Sequence, residues 1–375
     1  MTFDMTLDMT SANPTRLHEV QRLPTSGARA VEPFVCDGDV YLAVPQLALD
    51  ISGQVPSITV GNSDTETLIY RWRDGRFVEH QRLATPGGED AEFFVIGERR
   101  FLATASLRAG AGPYRMDVES VLFEWVDGRF EPRQFFATHA AKQWKHFSFD
   151  GRHFLALAQG VTAHDGNKGP NAKSTIFEWD GERFTPFQEV PSAWGYNWCF
   201  FELDGARLLG YADHAVLSSL LAWNGSSFEP FQELDGKSGR AFCRFDAHGQ
   251  AWLAFANLLG DSYLYRWQQG RFVQHQVLSG PGGREFEWLP DVDGGRLVQV
   301  NFIHGSREAP RPVLSSFVHA WTGERFEPVD EFQTSGGTDA AAFEVDGVTR
   351  LAVSNSLDAT LRFRTDTRIY RVEAP

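Results

Sequence analysis

The stretch Thr138-His139-Ala-Ala-Lys142-Gln-Trp144-Lys145-His146 sets two histidines and two lysines around a tryptophan in an otherwise acidic chain. Histidine and lysine beside aromatic rings can hold an anionic or aromatic small molecule, and such a histidine can move a proton as general acid or base. Trp194-Gly-Tyr196-Asn-Trp198, His164-Asp165, Asp213-His214 and His304 supply more residues of the same kinds. Two roles follow from residue type. His146, Lys142 and His214 are the candidates for proton transfer, and Trp144, Lys145, Trp194, Tyr196, Trp198, His164 and His304 for holding a ligand. The competing reading is ordinary packing and surface duty.

The familiar catalytic signatures are missing. No nucleophile elbow, phosphate loop, dinucleotide fingerprint or His-x-x-x-His metal pair occurs. The glycine pairs Gly87-Gly88 and Gly282-Gly283 each follow a proline and read as turns. Whatever chemistry exists must therefore be assembled from separate parts of the chain, and the elements that position those parts become the question.

Those elements repeat. Leu68-Ile-Tyr-Arg-Trp72-Arg-Asp-Gly75-Arg-Phe77 returns around Trp125, Trp179, Trp223, Trp267 and Trp321 at steps of 53, 54, 44, 44 and 54 residues. In every copy a phenylalanine follows the tryptophan by five residues, with a glycine between them. A glutamine comes four residues later in five copies (Gln81, Gln134, Gln188, Gln232, Gln276), and Asp330 stands there in the sixth. Each copy reads as two strands joined at the glycine. A second signature, such as Phe149-Asp-Gly151-Arg-His-Phe-Leu-Ala-Leu-Ala158, adds an Asp-Gly turn and a Leu/Ala-rich strand. Four strands per unit result, with no sustained helical period. We label them A (before the Asp-Gly turn), B (Leu/Ala), C (ending at Trp) and D (Phe to Gln).

The two ends complete each other. Leu17-His-Glu-Val-Gln21-Arg-Leu23 matches a D strand without its C strand, and Ile369-Tyr-Arg-Val372 matches a C strand without its D. A blade shared between the ends closes a ring and removes exposed sheet edges. The expectation is an all-β, seven-bladed propeller of four-stranded blades, as one domain over 15–375 after a disordered tail over 1–14.

The pattern [Leu/Ile]-x-x-Trp-x-x-Gly-x-Phe-x-x-x-Gln followed by Phe-x-x-Asp-Gly-x-x-x-Leu-Ala resembles the epilepsy-associated repeat, also called EPTP, over roughly residues 17–372. It is similar to the propeller half of the secreted leucine-rich glioma-inactivated proteins. The resemblance implies a protein-binding module, although a fold by itself carries no activity. It also implies a divalent cation, calcium or another, in the central channel. Asp90, Glu92, Gln143, Asn197, Glu285 and Asp339 open the A strands and form an oxygen-rich set that suits a hard cation. Asp90, Asp213 and Asp339 are the expected ligands, against a water-filled, hydrogen-bonded pore.

Loop length varies on one face only. B–C connections are long near 47–66, 107–119, 160–174, 303–316 and 356–367, and short near 214–219 and 258–263. Function on a rigid scaffold usually sits on such loops. The polar residues closing each B strand, Gln46, Ser106, Gln159, Asp213, Asn257, Asn301 and Asn355, are expected to point to the axis on that same face.

A net charge of −14 offers no basic footprint for nucleic acid. The three cysteines, Cys36, Cys199 and Cys243, lack metal-type spacing and fit a reducing compartment. Cys199 and Cys243 hold equivalent places in neighbouring A strands, which opens a redox pair as an alternative to buried thiols. Met1 to Thr10 carries acids where a secretory leader needs bases, and no run is long enough to span a membrane. The expectation is a cytoplasmic, monomeric propeller that binds a small molecule or protein on its long-loop face. The alternative is a metal-assisted or acid/base lyase, cyclase or hydrolase with its pocket at the channel mouth.

Overall fold

The computed structural model describes residues 16–161, 173–234, 236–306 and 308–373. Among these the secondary structure is all strand, apart from turns and bends, arranged as seven four-stranded antiparallel sheets and one two-stranded hairpin. Blade 1 runs A to D as Glu32–Cys36, Asp39–Val44, Glu66–Arg73 and Arg76–Ala84. Blades 2 to 6 follow the same order along the chain. Blade 7 takes Gly337–Val345, Val348–Asn355 and Thr367–Glu373 as A, B and C, and its D strand is Arg16–Leu23. Arg16 pairs with Glu373 and Leu23 with Thr367, so the ring closes between the chain ends as the repeat pattern anticipates.

Each A strand contacts the A strands of both neighbours, from blade 1 through blade 7 and back to blade 1. The A strands therefore line the central channel. The turn chemistry is local: at Asp37 and Gly38 φ is 52° and 83°, the paired positive values of a tight hairpin that favours Asp-Gly. The proline-preceded glycines are turns as well. Gly87 has φ 57°, and a Cβ there would collide with the Arg108 carbonyl oxygen.

Neighbouring blades interlock through the repeated residues. In every D strand one extra residue precedes the Gln position, as His80 does before Gln81, and the bulge turns the next side chain toward the following blade. There the amide clamps a backbone: Gln81 Nε2 donates to the Phe130 carbonyl (2.8 Å), and Phe130 N–H donates to Gln81 Oε1 (2.9 Å). Gln21, Gln134, Gln188, Gln232 and Gln276 make the same pair of bonds to Phe77, Phe184, Phe228, Phe272 and Phe326. Asp330, the departure in the sixth copy, accepts from Leu17 N–H across the joint (3.1 Å) and from the neighbouring Glu331 N–H (2.9 Å), and it donates nothing. The tryptophans stitch the same joints from the turn side: Trp72 Nε1 donates to Asp346, and Trp125 Nε1 to Asp37, each at 2.8 Å. The clamped phenylalanines are almost fully buried between blades. Truncating one to alanine would cost ~3–5 kcal/mol.

The long B–C loops of blades 1, 2, 3, 6 and 7 pool their apolar residues over one end of the channel. Leu47, Ala48, Leu107, Leu357 and Phe363 form a buried cluster with Ile58, Val161 and Ile303 against it. Arg108 laces the first two loops, donating to Ser63 Oγ (2.9 Å) and the Thr59 carbonyl (3.0 Å). Blades 4 and 5 connect B to C in only a few residues, between Asp213 and Ser219 and between Asn257 and Ser262. This cap therefore takes no residue from their side.

Candidate binding site at the channel mouth

Where each A strand enters the channel, one position faces the opening. It is occupied by Arg29, Glu89, Lys142, Tyr196, Arg240, Arg284 and Thr338; in five blades it stands one residue before a member of the acid and amide set, and in the other two before Ala30 and Ala241. Lys142 Nζ and Arg29 Nε lie 3.4 and 3.5 Å from the same Glu89 oxygen. Three cations approach the Tyr196 ring: the Arg240 guanidinium at 3.9 Å from its centroid, Lys142 Nζ at 5.1 Å and the Arg284 guanidinium at 5.5 Å. Arg240 also contacts His214 Nδ1 at 2.8 Å, and Trp194 stands edge-on to the His214 ring. Lys142, Arg240 and Glu89 are buried, while Tyr196, Arg284 and His214 are partly exposed.

Charge crowding shows in the proton affinities. Burial pulls Arg240 down to about 10. Burial alone would raise Tyr196, but Arg240 and Lys142 outweigh it and its phenol is lowered. Burial likewise works against the Glu89 carboxylate, yet Lys142 and Arg29 hold its pKa below the ordinary value.

Of the residues singled out by type, Lys142, Trp194, Tyr196 and His214 are thus brought together. Others are not. Trp144 and Trp198 are core: Trp144 is fully buried with Nε1 donating to the Thr104 carbonyl, and Trp198 packs on Tyr211 at 4.1 Å. Lys145 pairs with Glu92 at 3.0 Å, which raises its pKa. His146 is stacked on Phe94 (4.3 Å) and touches His153, with no contact to Lys142 or His214. His304 is exposed in the small blade 6 hairpin, with Arg311 at 2.9 Å from its Nδ1. It borders a cleft of about 350 Å³ with Ile58, Leu258 and Leu259. His164 lies outside the described residues.

The acid and amide set is engaged in joining blades. Asp90 accepts from Trp144 N–H (2.8 Å), Gln143 from Trp198 N–H, Asn197 from Phe242 N–H and Asp339 from Val31 N–H (2.8 Å). Burial and neighbouring acids raise Asp90 and Glu285, and burial lifts Asp339 to about 6. Asp213 differs from the expectation. Its oxygens accept from the N–H groups of Ala193, Trp194, Ala215 and Val216, so it caps two connections. Both carboxylate oxygens are thus engaged by backbone amides. Four of the other six B-strand ends are anchors too: Gln46, Gln159, Asn301 and Asn355 donate to carbonyls at or near the start of their own C strands. The oxygen donors suit a hard cation by chemistry. Among the described residues, however, no three such side chains converge on one metal position.

The channel also contains Cys199 and Cys243. Burial raises both thiols, Cys199 to about 11, so neither is a reactive thiolate at neutral pH.

Residues 16–73, 76–126, 129–180 and 227–268, more than half of the sequence, match the EPTP domain. The chain belongs to the EPTP domain family. Two curated relatives are the thrombospondin-type laminin G domain and EAR repeat-containing proteins of Mus musculus and Homo sapiens. They are 33% and 29% identical over 37% and 43% of this chain, and over 20% and 22% of their own lengths. Leucine-rich repeat LGI family member 3 of Mus musculus is 31% identical over 27% of the chain and 16% of its length. The aligned part thus spans about a fifth of the curated relatives it matches. Among the described residues of this EPTP propeller, no helix is long and apolar enough to cross a membrane.

Arg29, Glu89, Arg240 and Arg284 escaped the reading by residue type. The available signal was positional: each sits where Lys142 and Tyr196 sit in their own repeats.

Proposed function

We propose that this EPTP propeller is a binding module, and that its partner is a protein docking on the face formed by the B–C loops. The observation that carries the reading is the asymmetry of the two faces. Residues of five long loops pool into one apolar cap on one side, while the other presents short connections of at most six residues among the described strands. Exposed apolar residues on the loop face, Val55 and Leu259, give a partner something to bury. The family supports the same reading. The enzyme reading is weaker, because His146, Lys142 and His214 are not gathered into one acid/base arrangement.

The test is affinity capture with two surface variants of the full chain. Leu259→Asp on the loop face should lose partners that the wild type enriches. Val126→Asp, at the turn end of a C strand, should keep them. Partners lost with Val126→Asp and retained with Leu259→Asp would place docking on the opposite face.

A second reading, a divalent cation drawn to the channel, is favoured by the crowding of Asp90, Glu285 and Asp339. Native mass spectrometry with and without chelator tests it. A bare chain mass in both conditions removes it.

A further inference from the structure

At the channel mouth, four cationic side chains share one carboxylate. Arg29 and Lys142 both turn to Glu89, while Arg240 and Arg284 have no carboxylate within 4 Å among the described residues. Glu89, Glu285 and Asp339 all feel the Arg284 charge, and of these Glu285 and Asp339 already accept backbone N–H groups at Phe286 and Val31. Buried charge without a counter-charge is costly, so a fold does not collect it by default. Neighbouring A strands are already joined by backbone N–H groups that donate to residues one and three positions further along, such as Asp90, Gln143, Asn197 and Glu92.

The surroundings fit a ligand of opposite sign. Three of the four cations are arginines, two of them, Arg240 and Arg284, gathered around the Tyr196 ring, and a guanidinium offers forked donors that match oxyanions. Tyr196 and Arg284 are partly open to solvent. They lie on the side where the connections of blades 4 and 5 are shortest and the apolar cap takes no residue.

We propose that this mouth is an oxyanion site, in which a small ligand with two or more negative charges sits among Arg240, Arg284 and Lys142 beside the Tyr196 ring. The ligand supplies the counter-charge that Glu89 alone does not. This site goes beyond protein docking on the loop face and stands or falls independently of it.

The experiment uses the full chain, with inorganic phosphate and citrate as probes and sodium chloride at matched ionic strength as reference. Phosphate or citrate should raise Tm saturably above chloride, because a ligand that binds only the folded state stabilises it. Isothermal titration calorimetry should fit one site. Arg240→Gln should weaken Kd at least tenfold, and Arg284→Gln, at a partly exposed position, covers the case in which the first variant fails to fold. A Tm change no larger than that of chloride, or binding undiminished in both variants, overturns the proposal. An acidic protein segment as the natural source of the charge would appear as a partner whose capture citrate competes away.

Discussion

At His146, burial, the neighbouring His153 and the Lys145 ammonium all disfavour the imidazolium, and together they pull the ring down to about 3. Its ring lies flat on Phe94 and behaves as an aromatic wedge between blades 2 and 3. Because the folded value is depressed, the stability this group provides is fully present above the unfolded value near 6.5. It is lost as pH falls toward the folded value, where the unfolded chain takes up a proton that the native state refuses. At about 1.4 kcal/mol per unit, the loss between pH 7.5 and 5 is on the order of 2 kcal/mol. Replacing it with phenylalanine (His146→Phe) keeps the stack and removes the titration. Urea unfolding at pH 7.5 and 5 should show a smaller acid loss in the variant than in wild type by roughly that amount. Equal losses in the two proteins would mean that this ring titrates freely in the fold. The tempting chemistry of the Lys142 to His146 stretch thus divides between a charged mouth, a salt bridge and a packing role.

The D strand shows how a sequence pattern becomes a joint. A bulge before the glutamine aims its amide at the next blade, and both polar atoms of that amide satisfy a backbone N–H and carbonyl that would otherwise be cut off between sheets. The pattern was legible because the same joint recurs and each copy needs the same Trp, Gly, Phe and Gln. The mouth was not. Its residues share a repeat position but differ in type, and only ring closure brings Arg240 and Lys142 to the same tyrosine. At Asp213 the sequence is ambiguous for a plain reason: a carboxylate capping amides looks, in one dimension, like a carboxylate awaiting a cation. Asp330 offers a test of the joint itself. A carboxylate can accept from Leu17 N–H but cannot donate to its carbonyl. Restoring the amide with Asp330→Gln should complete the seventh clamp and stabilise the protein by about 0.5–1.5 kcal/mol. Denaturant titration measures it, and no gain or a loss would show that this joint is shaped differently from the other six.

The whole ring depends on eight residues supplied from the opposite end of the chain. Arg16–Leu23 covers the C strand Thr367–Glu373, buries Leu23 and carries Gln21 to its clamp on Phe77. Deleting residues 1–23 leaves blade 7 with three strands, a row of unpaired backbone groups along Thr367–Glu373 and an unclamped joint to blade 1. An exposed strand edge of this kind is a template for association. The deleted chain should melt at lower temperature and run as higher-order species on size exclusion. Joining the sequence of Arg16–Leu23 after Glu373 through a two-residue Asn-Gly turn should restore both properties. The added segment then stands where every other D strand stands, following its own C strand through a tight hairpin. Rescue by the relocated strand shows that pairing, rather than the position of the segment in the chain, closes the ring. A deleted chain that melts and elutes like the full-length protein would mean that the six complete blades hold the circle without it.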